Sequence, residues 1–136
     1  MDEEPRLPFE RLDFIYMPSH DPGADAEAFA GRLGGRLTFA IEAFGTRVAM
    51  VQLARDSPDL LLAGHLHGST PILVYRVRDL EQATRELLAR GCDAGPSFGI
   101  PHGPCCAFSL PGGQRIAIYE RTRPEASARL AGRRDF

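Results

Sequence analysis

Four histidines, three cysteines and two arginines set among apolar strand residues are the side chains here whose type and spacing could do chemistry. In "GHLHG", His65 and His67 stand two apart and share a face of any extended stretch, an arrangement able to hold a transition metal. Two ligands do not complete a site, and neither His102 in "GIPHGP" nor His20 stands at a spacing that supplies a third, so a surface or loop role is favoured. Cys105 or Cys106 with His102 upstream, or Ser109, would be the nucleophile of a covalent catalyst, which requires a lowered pKa and an adjacent base. Neither is visible, and cysteines next to Ala107 and Phe108 in a strand are ordinarily small core filling. "PGGQR" has the glycines of a phosphate loop without the following helix or Lys, and reads as a hairpin turn. "FGIPHGP", punctuated by Gly and Pro, reads as a mobile lip over a binding surface.

Arg76 in "ILVYRV" and Arg115 in "QRIAIYE" are the more informative pair, since a guanidinium among buried strands needs a carboxylate or an anionic ligand to offset its desolvation. Glu42 is the expected internal partner; the alternative is that both arginines reach water at the strand rims. Side-chain alternation puts Leu12, Phe14 and Tyr16 on one face, as it does Ile72, Val74 and Arg76, and Arg115, Ala117 and Tyr119. Apolar and aromatic surface with a few polar groups is the makeup of a small-molecule pocket, and plain core is the competing account of each residue.

The elements that must position these residues follow from local pattern. "RLDFIYMP" is a strand ended by Pro18; Asp21 caps a helix with Pro22 at its first position, and Ala26, Phe29, Ala30 and Leu33 form its apolar stripe before Gly34 and Gly35. "RLTFAIEAF", "TRVAMVQLA" and "LLLAGHL" follow as strands. From Thr70 the order repeats: "ILVYRV" is a strand and Asp79 a helix cap completed by Gln82 as a capping-box-like pair. Leu80, Ala83, Leu87 and Leu88 are that helix's buried stripe before Gly91. "AGPSFGIPHG" is at most an irregular strand, and "PCCAFSL" and "QRIAIYE" flank the turn "PGG". Asp21 and Asp79, Phe14 and Ile72, and Phe29 and Leu87 are each separated by 58 positions, which indicates two copies of a strand-helix-strand-strand-strand unit.

At 136 residues the chain is long enough for one compact domain without disulfides or structural metal. A net charge of −2 offers no electrostatic footprint for nucleic acid. All sixteen basic residues are Arg, and Lys and Asn are absent, a bias from which no function follows. The Arg-rich end "RLAGRRDF" reads as a solvated tail. Three cysteines cannot all pair, the start "MDEEPRLPFERLD" is acidic without an apolar signal, and no run of ~18 apolar residues suggests a span, so free thiols, a cytoplasmic location and no membrane partner are expected.

The strand-then-Asp openings of both halves, "VYRVRDLEQATRELLARGC" and the ending "FSLPGGQRIAIYE" together resemble the vicinal oxygen chelate superfamily, the group of glyoxalase I, extradiol dioxygenases and bleomycin-resistance proteins. The resemblance covers residues 11–121 and implies an α+β fold: two βαβββ modules, about 11–68 and 69–121, building an eight-stranded cup-shaped mixed sheet with helices on the convex side. Residues 1–10 are then an N-terminal extension and 122–136 a C-terminal tail. In metal-dependent members, side chains from the first strand of each module and from the last strand of a module bind one divalent ion; the matching positions here are Phe14, Ile72 and Ala117, none of them a donor. The reading that follows is a binding protein without metal or other cofactor that holds a small aromatic or amphipathic molecule, with Phe14, Tyr16, Ile72, Val74, Arg76, Arg115, Ala117 and Tyr119 toward the ligand. The alternative is a lyase, isomerase or oxidoreductase with metal ligands relocated to His65, His67, His102 and Glu120, or a cofactor-free catalyst using Tyr and Arg. A homodimer is expected by resemblance alone.

Overall fold

A computed structural model describes residues 7–43, 45–56, 58–66 and 68–136. The elements run β1 (Arg11–Pro18), α1 (Pro22–Leu33), β2 (Arg36–Ala43), β3 (Thr46–Gln52) and β4 (Asp59–Ala63). The second half continues with β5 (Ile72–Val77), α2 (Leu80–Ala89), β6 (Asp93–Ile100), β7 (Gly103–Ser109), β8 (Arg115–Glu120) and a short α3 (Ala126–Leu130). The βαβββ order thus occurs twice, and all eight strands join one mixed sheet in the order β2-β3-β4-β1-β5-β8-β7-β6. In each half the first strand lies parallel to the last, and β1 meets β5 antiparallel to join the halves.

Alternation sorts the strands into two faces. Ala40, Ala49, Val51 and Leu62 point outward and bury Ala26 and Phe29 of α1; Cys106, Phe108 and Ile118 point outward under Leu80, Ala83 and Leu87 of α2. Their neighbours in sequence, such as Phe39, Met50, Leu61, Cys105 and Ala117, form a single inner cluster drawn from every strand. A flat sheet of eight strands at ~4.8 Å spacing would hold its edges about 34 Å apart. Yet Ile41 on edge strand β2 and Ile100 on edge strand β6 line one hollow, so the sheet is curled into a cup with both long helices outside.

The helix caps form largely as the sequence indicates. Asp21 accepts from Ala24 N (3.1 Å), and Gly34 ends α1 at φ +76°, in the left-handed region that glycine enters without strain. Asp79 accepts from Gln82 N (3.1 Å), but the reciprocal half of the capping box is absent: Gln82 Nε2 donates to Glu86 Oε1, and Glu120 Oε1 instead takes the N–H of Leu80 (2.9 Å). Both helical stripes are narrower than expected, α1 packing through Ala26 and Phe29 and α2 through Leu80, Ala83 and Leu87. Leu33 and Leu88 stay exposed, because the sheet meets each helix along a band that these residues already fill.

The expectation of a solvated C-terminal tail is overturned. Ala126 and Leu130 are buried, Leu130 joins the inner cluster, and residues 132–135 run along the free edge of β2. There Gly132 N donates to Thr38 O, Ala40 N to Arg133 O and Asp135 N to Ala40 O, while Asp135 Oδ2 accepts from Glu42 N. Phe136 then reaches the outer face beside α1, with the Arg47 guanidinium 5.0 Å from its ring centroid. Apolar residues at 126 and 130, one helical turn apart, were the signal for this docking, masked by the surrounding arginines.

Candidate functional site

The inner face holds two hollows of different character. The larger, about 700 Å³, lies between the inner sides of β2 and β3, the β6–β7 turn and α3. Tyr16, Ile41, Val48, Ile100 and Leu130 form its apolar surface, with Arg123, Arg129 and Arg133 among its polar lining residues. Burial raises the Tyr16 phenol well above its usual pKa, so it stays protonated. The segment read as a lip, residues 98–104, does form one wall, and Arg123 fixes it by donating to Pro101 O (2.8 Å) and Ile100 O (2.7 Å).

The smaller hollow, about 200 Å³, lies toward the start of β1 and is polar. Its organiser is Asp13, which strict alternation would send to the outer face. The pairing of β1 with β5 shifts between Leu12 and Phe14, so Asp13 and Phe14 together oppose Val74. Such a bulge inserts one residue and re-aims the side chains around it. Asp13 thereby receives the Tyr119 hydroxyl, lies 3.2 Å from Arg11 Nε and 3.6 Å from Arg76 Nε, and is only 12% exposed. Burial, then the hydrogen bond to Asp13, raises the Tyr119 pKa. Asp59, across from Phe14 on β4, has its carboxyl pKa raised by burial, against the lowering pull of Arg11 and Arg36.

His102 stands beside this cluster, 2% exposed, stacked on Phe14 with ring centroids 4.7 Å apart. Its Nε2 lies 3.0 Å from Ser127 Oγ in α3, while Nδ1 has no partner among the described residues. Burial first, and the nearby Arg121 second, push its pKa down to about 4, so the ring is neutral at pH 7. The histidine therefore ties the tail to the cup floor as a neutral hydrogen-bonding group.

The eight residues expected to face a ligand are distributed as follows. Tyr16 lines the large hollow; Phe14, Arg76 and Tyr119 line the small one; Ile72, Val74 and Ala117 lie in the packed inner layer. Arg115 is half-buried at the start of β8, with Nε donating to Thr70 Oγ1 (3.1 Å) and Nη2 to Thr70 O. Glu42 is not the partner of either arginine: on edge strand β2 it pairs with Arg47 of β3 (2.9 Å), and Arg76 lies near Glu10 and Asp13 instead. Ile41, Val48, Leu130 and Arg129 were not singled out in the sequence, although alternation in "TFAIEAF" and "TRVAM" carries the first two.

The cysteines divide as strand alternation requires, Cys105 inward and Cys106 outward, and burial pushes the Cys105 thiol up to about 12, which makes it inert as a nucleophile. His65 lies at the large hollow, and Glu120 faces α2 on the other side of the sheet from His102; His67 lies outside the described residues. Among the described residues no group of three His, Cys, Asp or Glu side chains is placed to hold a metal ion, and no helix is long and apolar enough to cross a membrane.

Comparison with solved structures places the architecture. Methylmalonyl-CoA epimerase from Mycobacterium tuberculosis superposes with a TM-score of 0.68 at 22% identity, covering 86% of this chain and 91% of that one. A hypothetical protein from Bacillus halodurans C-125 gives 0.68 at 15% identity, over 83% and 95% of the two chains. A Streptomyces coelicolor methylmalonyl-CoA epimerase in complex with 2-nitronate-propionyl-CoA gives 0.67 at 16%, over 85% and 96%. The chain shares the vicinal oxygen chelate fold of these epimerases, and at such identities the likeness speaks for the fold alone. No protein-family model matches the sequence, and no curated protein matches it.

Proposed function

We propose that this protein is a metal-independent small-molecule binder whose ligand occupies the large hollow between the first module, the β6–β7 turn and α3. The observation that carries this reading is the hollow itself: about 700 Å³, within the range of drug-sized pockets, with Tyr16, Ile41, Val48, Ile100 and Leu130 as apolar walls. Affinity would come chiefly from apolar burial, at ~25 cal/mol per Å² before the costs of association. A protein of the same fold in complex with a CoA derivative supports the idea that the cup accommodates amphipathic molecules.

The fold implies a divalent ion at the centre of the cup, and the residues present do not fit one. Phe14, Val74 and Ala117 stand level across β1, β5 and β8, and Ile72 stands level with Tyr16; all four inner side chains other than the phenol are hydrocarbon. The carboxylates at that level, Asp13 and Asp59, lie among Arg11, Arg36 and Arg76, which already neutralise them and repel a cation. No step through a metal is derived.

Titration with the neutral fluorophore N-phenyl-1-naphthylamine tests the proposal. One saturable site per chain is expected, indifferent to a chelator and lost in Val48→Phe, which enlarges a wall residue while circular dichroism reports the fold. Absence of uptake, or uptake that a chelator abolishes and a divalent ion restores, would overturn the reading.

A further inference from the structure

The charged groups around the large hollow are unequal in number and in commitment. Arg123, Arg129 and Arg133 line it against one carboxylate, Glu125. Arg123 is engaged by the carbonyls of Ile100 and Pro101, and Arg133 by Asp135, with Nε at 3.0 Å from one carboxylate oxygen and Nη2 at 2.8 Å from the other. The guanidinium of Arg129, on α3 between the buried Ala126 and Leu130 anchors, has neither hydrogen bond nor ion pair among the described residues. A guanidinium on a wall that also carries apolar surface is a docking point for a planar or tetrahedral anion, with its five donors fixed in one plane. The apolar floor, beginning at Tyr16, Ile41 and Val48, takes the rest of the molecule.

We infer that the ligand class is an anionic amphiphile, an apolar body of one or two rings or an equivalent acyl chain ending in a carboxylate, sulfonate or phosphate, with Arg129 receiving the acidic end. This rests on the binding reading above and adds the charge and orientation of the ligand. It also gives the C-terminal tail a role in recognition, since the residue that meets the anion belongs to α3 and not to the eight-stranded scaffold.

The test compares two fluorophores of similar size: anionic 8-anilino-1-naphthalenesulfonate and neutral N-phenyl-1-naphthylamine. The expected result is tighter binding of the sulfonate by the natural protein and a roughly tenfold loss of its affinity in Arg129→Gln, with the neutral probe unchanged. Arg129 is exposed, so the variant keeps the fold, and unchanged neutral-probe binding reports an intact hollow. Raising the salt concentration weakens sulfonate binding in the natural protein and leaves the variant nearly insensitive. Equal binding of both probes, or the same sulfonate affinity in Arg129→Gln, overturns the charge assignment while the hollow stands. Failure of both probes to bind the natural protein removes the hollow as a site altogether.

Discussion

The two modules start from one plan and diverge in what lies on their inner and edge surfaces. In the first, the tail covers the free edge of β2, Leu130 enters the inner cluster, and a wide apolar hollow remains between α3 and the sheet. In the second, edge strand β6 pairs only with β7 among the described residues, and that pairing shifts between Ala94 and Ser97, where Gly95 and Pro96 break the ladder; such irregularity discourages edge-to-edge association. Where the modules meet, the inner surface is closed by Asp13, Tyr119, Arg11 and Arg76, a network whose charges offset one another although Arg76 Nε, 3.6 Å from Asp13 Oδ2, has no hydrogen-bond partner among the described residues. The sixteen residues that follow β8 thus make the two halves of a repeated scaffold unequal, and on the proposed reading they shape the hollow that takes a guest.

The comparison breaks first if the tail is incidental. Leu130→Ala removes its main anchor and is expected to cost about 3 kcal/mol, the range for truncating a buried leucine, together with loss of probe uptake. Chemical denaturation measures the first and fluorescence the second; a change below ~1 kcal/mol would mean that the tail rests on the cup without supporting it.

Acid should release the same contact. The folded pKa of His102 lies at about 4, below its unfolded value near 6.5, so the unfolded chain binds the extra proton between those limits. Stability from this group is complete above pH 6.5, falls as the pH is lowered through that window, and is lost below about 4, a difference of up to about 3 kcal/mol. His102→Gln, which keeps a hydrogen-bonding group for Ser127, should flatten the difference in stability between pH 6.5 and 4 relative to the natural protein. Parallel profiles for the two proteins would remove His102 from the acid response.

Asp13→Asn sharpens the contrast from the other side. It removes the carboxylate charge that Arg11, Arg76 and the Tyr119 hydroxyl share and is expected to cost about 2 kcal/mol. Probe affinity should hold, because the network lies at the small hollow and not the large one. Loss of probe binding with unchanged stability would make the polar end the binding end.

Much of the scaffold was legible in the sequence because it rests on local rules. Asp21 and Asp79 cap where their neighbours' N–H groups need acceptors, and period-two alternation sorts Cys105 from Cys106 and Phe39 from Ala40. What escaped depends on contacts distant in sequence. Strict alternation sends Asp13 outward, and only the bulge against β5 turns it in; the arginines of "RLAGRRDF" suggest water until the edge of β2 offers unpaired backbone groups. The inner faces of β2 and β3 show as alternating apolar residues, but only the curl of the sheet and the position of α3 turn Ile41 and Val48 into walls of a hollow instead of core.

A crystal structure of the protein with 8-anilino-1-naphthalenesulfonate tests the central claim most directly. The account predicts ring density between Tyr16, Val48 and Leu130 with the sulfonate at Arg129. Density for the probe against Asp13 and Tyr119, or a coordinated ion at the cup centre, would contradict it.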